Sequence, residues 1–266
     1  MNRIDRMFRN KKKNILSIYF TAGYPALTST AGIIKDLSTA GVDMIEIGMP
    51  FSDPLADGPV LQQSNTAALQ NGMSIRLLFG QLEDIRKEVT IPLILMGYLN
   101  PVLKFGMEEF CLKCAETGID GVIIPDLPPE VWTEQFRPVF EKYNLYNILL
   151  VSPRTDDDRI RKLDSLSSGF LYIVSSSSTT GIREGLTQTK IEYLKKLQGM
   201  DLKNPGLIGF GISDANTFSL ACNYSQGAII GSAFVKMLGE KSSENLPVRE
   251  FISSVTGSPS LSLDIK

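Results

Sequence analysis

The sequence predicts an α/β fold: a single-domain TIM barrel, (β/α)8, with eight parallel strands. Three observations carry that prediction. Eight short apolar runs alternate with helix-period segments along the whole chain. The runs are rich in Ile, Val and Leu on both faces, as strands covered by helices on each side are. The first run is followed by Thr21-Ala22-Gly23-Tyr24-Pro25, where an open doubly wound sheet usually shows GxGxxG. At 266 residues the chain has the length of one such barrel, and no linker, low-complexity tract or charge block divides it.

The elements follow in order. Residues 1–13 read as an N-terminal helical segment and turn, with Arg9, Lys11, Lys12 and Lys13 forming a solvated basic run. The first strand is 15–21, followed by helix periodicity over 28–40. The second, 44–48, sets Glu46 between Ile45 and Ile47 and runs into a loop stiffened by Pro50, Pro54 and Pro59. Helix 74–89 leads to strand 93–96, and amphipathic helix 108–116 leads to strand 121–124. Helix 130–142 precedes strand 147–151. Helix 156–166 opens on Asp156, Asp157 and Asp158, where negative charge meets the positive end of the helix dipole. Strand 170–175 feeds a Ser/Thr-rich loop, then helix 190–198 and strand 207–210. Helix 214–223 and strand 228–230 complete the series, with Gly231-Ser232 opening a further helix. The small, polar tail 256–266 reads as frayed.

Composition removes several classes of function. A hydrophobic fraction of 43% supports a large core, and 27 basic against 29 acidic residues (net charge −2) argue against a nucleic-acid surface. The start MNRIDRMFRN has no apolar signal core and no run is long enough to cross a bilayer, so a cytoplasmic protein without membrane attachment is expected. Cys111 and Cys114 form a CxxC, but the chain has no second CxxC and no histidine. No metal site is expected, and the pair reads as packing within helix 108–116.

Without histidine, proton transfer near neutral pH falls to retuned carboxylates, Cys, Lys or Tyr. Glu46 is the first candidate, because burial raises a carboxyl pKa. Asp57, on the loop beyond, is its ionised counterpart, and two carboxylates in different environments divide acid and base roles. A structural reading stands beside this one, with Glu46 held by Tyr172 or Ser232. Asp53, before Pro54, reads equally as a turn initiator. No strand interior carries a lysine for Schiff-base chemistry, which leaves metal-free acid–base catalysis. Gly209-Phe210-Gly211 and Gly231-Ser232 end the last two strands, where such barrels often hold phosphate on backbone N–H groups and a helix N-terminus. Gly181 adds a third glycine to that group. Loop 175–185 has the composition of a mobile lid.

With these residues assembled, the chain resembles the tryptophan synthase alpha-subunit family. The likeness rests on Glu46 with Pro50-Phe51-Ser52-Asp53-Pro54-Leu55-Ala56-Asp57-Gly58-Pro59, and on Phe20 to Pro25. It continues through Asn100-Pro101, Pro125-Asp126-Leu127-Pro128, Tyr172, Gly209 to Ser213 and Gly231-Ser232-Ala233. The resemblance implies retro-aldol cleavage of indole-3-glycerol phosphate to indole and glyceraldehyde 3-phosphate. Glu46 is then the proton carrier, Asp57 the partner of the indole N–H, and Tyr172 and Thr180 supporting groups. It further implies that Gly181, Gly211, Gly231 and Ser232 hold the phosphate while Tyr19, Tyr98 and Phe210 line the pocket. No cofactor is implied in this chain. A pyridoxal-phosphate-dependent beta subunit is the implied partner, in an α2β2 heterotetramer, against loops 51–57, 100–105 and 126–129. Ser176 and Ser178 depart from the arginine and glycine of many relatives, which bears on lid behaviour more than on chemistry. Three alternatives stand beside this reading: a non-catalytic barrel that activates its partner, a free-standing lyase, and another phosphate-binding barrel enzyme, which should show a barrel lysine or histidine that this chain lacks.

Overall fold

The computed structural model describes residues 1–174, 188–209, 211–240 and 247–257. The sheet has nine short parallel strands: β1 (Ile15–Thr21), β2 (Met44–Gly48), β3 (Leu93–Met96), β4 (Gly121–Ile123), β5 (Tyr146–Asn147), β6 (Leu149–Val151), β7 (Leu171–Val174), β8 (Gly206–Gly209) and β9 (Gly227–Ile230). Their order is β5-β4-β3-β2-β1-β9-β8-β7-β6. β5 and β6 are two halves of the expected fifth strand, separated at Ile148, so the eight strand positions hold. Ile148 N–H still donates to Val122 O (3.0 Å) on β4, while Leu149 pairs with Leu171 on β7. The chain thereby carries the sheet around into a barrel.

Every residue of β1 and β2 is buried, as strands inside a helical layer must be. Phe20, Phe110, Phe140, Phe170 and Phe234 are fully enclosed, each contributing on the order of 2–3 kcal/mol by burial. Helix starts follow local chemistry. Ser74 accepts from Leu77 N (3.2 Å) and Asp156 from Arg159 N (2.8 Å), while Asp214 and Thr217 form a reciprocal capping box.

Two helices differ from the periodicity. The expected helix 74–89 divides into Ile75–Leu82 and a 3-10 turn, Ile85–Lys87. The turn lets Arg86 reach inward to Gly118 O (2.6 Å), Ile91 O (2.6 Å) and Asp120. The expected helix 130–142 contains a π-helical segment, Trp132–Phe136, in which Arg137 N–H bonds Trp132 O. Pro138 has no N–H to continue the ladder, and a widened turn absorbs the loss. Helices Pro59–Gln70, Leu99–Phe105 and Val248–Thr256 were not anticipated.

The N-terminal helix, Arg3–Asn10, closes the bottom of the barrel. Asn2 caps it and donates to Asp120 O (2.8 Å), while Ile4 is fully buried. Gly121 and Gly169 make its room: a Cβ at either would lie 3.3 Å or 2.9 Å from an Ile4 methyl.

Candidate active site

Glu46 lies in the middle of β2 with no solvent exposure, in register with Tyr19 on β1. Ser17 Oγ donates to its Oε1 at 2.8 Å, and Oε2 has no hydrogen-bond partner among the described residues. Burial pushes the carboxyl up to about 8, against which the Ser17 hydrogen bond pulls weakly downward. Glu46 is therefore predominantly a neutral acid at pH 7. Among the described residues the hydrogen-bond partner of Glu46 is Ser17, where Tyr172 or Ser232 was foreseen. Ser232 is exposed at the start of helix Ser232–Glu240, and Tyr172 nonetheless lies near enough for Glu46 to raise its hydroxyl pKa.

Asp57 is half-buried on the loop that leaves β2. Partial burial raises it to about 6, so it is mostly ionised at pH 7. Its charge acts on Tyr19, Tyr172 and Tyr98, in each case after burial itself as a cause of a raised hydroxyl pKa. One carboxyl is thus neutral and the other charged, around a shared set of tyrosines.

The loop is held in shape. Asp57 N–H bonds Pro54 O (3.0 Å), and Gln62 Nε2 bonds Asp57 O (3.0 Å). Phe51 N–H donates to Asn65 Oδ1 (2.9 Å), and Ala56 N–H donates to Tyr98 Oη (3.2 Å). Phe51 and Tyr98 rings pack at 5.0 Å. Asp53 accepts from Ser52 Oγ, and its carbonyl accepts from Leu55 N–H (2.9 Å). That arrangement fits the turn-forming reading of Asp53. Asp126 accepts from Leu99 N–H (2.9 Å) and so ties the β4 end to the start of helix Leu99–Phe105. Residues 100–105 are thus helical throughout where a loop was expected.

Two glycines shape the mouth: Gly48, to which sequence reasoning gave no role, and Gly209, which it placed on the phosphate side. A Cβ on Gly48 would sit 2.2 Å from Tyr19 Oη, and one on Gly209 would sit 2.2 Å from Tyr172 Oη. Each tyrosine lies across a neighbouring strand at a point where no side chain is possible. Gly48→Ala should displace Tyr19 and destabilise the fold by about 1–3 kcal/mol. Thermal unfolding checks this: adding Tyr19→Phe should recover part of the loss, whereas strictly additive effects would mean that the two do not collide. Ser17 was missed as well. Its signal was present, a small hydroxyl in an apolar strand, two residues before Tyr19 and on the same strand face.

On the phosphate side, Gly211 adopts φ +77° with no described atom within 4 Å of a Cβ built there, and Ser232 is the first residue of its helix. Gly231 is beside Tyr19, 3.3 Å from its Cδ1 to a Cβ built there. β8 and β9 are adjacent, so these positions share one sector of the rim. Thr180, Gly181, Phe210, Ser176, Ser178 and the expected lid 175–185 lie outside the described residues. Cys111 and Cys114 are buried free thiols in helix Met107–Thr117, both pushed upward by burial, which agrees with packing. Among the described residues no group of three or more His, Cys, Asp or Glu is placed to hold a metal ion, and no helix is long and apolar enough to cross a membrane.

Fold and rim together define a parallel α/β barrel in which a buried carboxyl on β2 and a half-buried one on the loop beyond act on the same tyrosines. The family model described as tryptophan synthase alpha chain matches residues 6–256. The chain belongs to that family. The tryptophan synthase alpha chain of Flavobacterium psychrophilum is 54% identical over 255 residues, 96% of this chain and 100% of that one. That of Bacteroides fragilis is 54% identical over 241 residues, covering 91% and 92%. Among solved structures, a Mycobacterium tuberculosis tryptophan synthase chain superposes with a TM-score of 0.84 at 27% identity, covering 97% of this chain and 99% of that one. A Pyrococcus furiosus alpha-subunit mutant superposes at 0.82 with 32% identity, covering 91% and 97%. Membership makes this chain the alpha component of a lyase in tryptophan biosynthesis and implies a beta-subunit partner.

Proposed function

We propose that this chain cleaves indole-3-glycerol phosphate to indole and glyceraldehyde 3-phosphate by a metal-free retro-aldol reaction in the cytoplasm. The observation that supports it most is a buried, neutral Glu46 and an ionised Asp57 that act on the same pair of tyrosines, Tyr19 and Tyr172. Neutral Glu46 gives its proton to the indole ring carbon that bears the glycerol side chain. Positive charge develops on the ring, and Asp57 stabilises it at the indole N–H. Glu46, now a carboxylate, takes the proton of the adjacent side-chain hydroxyl. The carbon–carbon bond breaks, the hydroxyl carbon becomes the aldehyde, and the bond electrons restore the indole. Glu46 ends protonated, ready for another turnover.

Tyr172 and Thr180 support the carboxylates in this reading, and Tyr19, Tyr98 and Phe210 line the pocket. Gly181, Gly211, Gly231 and Ser232 hold the phosphate. Backbone N–H groups and a helix start supply donors and positive potential for that anion. A pyridoxal-phosphate-dependent beta subunit docks on 51–57, 100–105 and 126–129 in an α2β2 assembly. Exposed Leu55 (85%) and Leu103 (48%) support an apolar contact there.

The testing experiment is indole release from indole-3-glycerol phosphate by the purified chain, with and without a beta subunit. Slow cleavage alone and faster cleavage with the partner are expected. Stimulation of the beta subunit with no cleavage in either condition would instead favour the non-catalytic barrel. The pH dependence is fixed by the two carboxyls. kcat/KM should rise as Asp57 ionises near pH 6 and fall as Glu46 loses its proton near pH 8. A profile flat from pH 5 to 9 would remove both from the proton transfers.

A further inference from the structure

We infer that Ser17 is a positioning residue for the acid: its hydroxyl holds Glu46 Oε1, so that the transferable proton rests on Oε2 facing the substrate. This rests on the reading of Glu46 given above. The geometry comes from three observations. Ser17 and Glu46 are both fully buried, on neighbouring strands. Their contact is 2.8 Å with the hydroxyl as donor, and Oε2 is left without a hydrogen-bond partner among the described residues. Ser17 pairs with Met44 in register, which sets Glu46 two residues further along the facing strand and on the same side of the sheet.

A carboxylic acid has one oxygen that accepts and one that carries the proton. An oxygen that already accepts from a fixed donor is the poorer place for that proton. A hydroxyl clamped on Oε1 therefore selects Oε2 as the acid oxygen. It also stops the carboxyl rotating, which keeps the two proton transfers on one side chain in one geometry. Once Glu46 is a carboxylate, the same donor stabilises it, so the hydroxyl favours release of the proton and then holds the carboxylate in place to take one from the substrate.

The titratable groups that face Glu46 are Tyr19 from β1 and Tyr172 from β7, with Asp57 acting on both. β3, on the other side of β2, presents Ile94 in register. Neither tyrosine ionises in the working range, since burial raises both. A change in the Glu46 titration on altering Ser17 can then be traced to the lost hydroxyl.

The test compares Ser17→Ala and Ser17→Val, which lack the hydroxyl, with Ser17→Thr, which keeps it and matches Val in shape. Two readouts are taken on the folded chain: kcat and KM against pH for indole-3-glycerol phosphate, and the Glu46 titration followed by carbon-13 NMR of labelled glutamate. Ala and Val should lower kcat about tenfold with KM little changed, as loss of an interaction used in the chemical step does. The alkaline limb and the NMR titration should both move to higher pH. Thr should recover most of the rate and the titration. If Ala and Val leave the titration where it is, or if Thr behaves as Val does, the assignment is overturned. Failure of the underlying activity is visible separately, as a wild-type chain that cleaves nothing. In that case a titration that moves in Ala and Val and returns in Thr still assigns the hydroxyl to Glu46, and one that does not move overturns it.

Discussion

Glu46→Gln should lower indole release from indole-3-glycerol phosphate by roughly two decades or more, with and without the beta subunit, because the proposed reaction routes both proton transfers through this carboxyl. Glutamine matches the neutral carboxyl in shape, so the fold should survive the change. A second measurement separates chemistry from folding. The folded carboxyl titrates near 8 against an ordinary value of 4.5. Such a group supplies its full stability below 4.5 and loses it as pH rises through the folded value. Wild type should therefore lose stability between pH 4.5 and 8 from this site, while the glutamine variant does not. Denaturant unfolding should find Glu46→Gln more stable than wild type at pH 8 and no more stable at pH 4. An inactive variant with the wild-type pH dependence of stability would mean that burial does not set the Glu46 pKa.

Asp120→Ala should have the largest effect on stability, on the order of 3–5 kcal/mol, since it strips buried positive charge of its counter-ion. Asp120 is 3% exposed. It takes Arg3 at 3.0 Å and Arg86 at 2.6 Å, and accepts Leu93 N–H at 2.9 Å. Arg86 is itself mostly buried, and desolvation lowers it to about 10 even with Asp120 present. Removing the carboxylate also loosens the N-terminal helix, which Arg3 ties to the barrel bottom. For a chain of this size the melting temperature should fall by roughly 10 °C. Cleavage measured well below the melt should persist, because stability is built at the bottom of the barrel and chemistry at the rim. A fall of less than 2 °C would mean that the cluster is held by other contacts.

The difference between these two sites shows what could be read without coordinates. Fold class was legible because most strand residues are buried on both faces, which leaves short apolar runs alternating with helix-period segments. Strands 15–21, 44–48 and 93–96 were placed at their observed bounds for that reason. Glu46 was legible because a carboxyl between Ile45 and Ile47 conflicts with its neighbours. Asp57 was legible from its stiff, acidic loop. Asp120 and Arg86 were not, since each looks like an ordinary surface charge next to a turn.

What the sequence alone determined is the number of strand positions, the direction of the barrel and the identity of the buried carboxyl, all of which follow from local periodicity and from the cost of an apolar neighbourhood for a charge. Tertiary structure decided the rest. The pairing of Ser17 with Glu46 depends on strand register, the seating of Tyr19 and Tyr172 depends on glycines of neighbouring strands, and the break at Ile148 depends on closing the sheet into a ring. The physical reason is common to all three. They are contacts between segments far apart in the chain, and side-chain identity fixes such a contact only after the backbone has set which residues face one another.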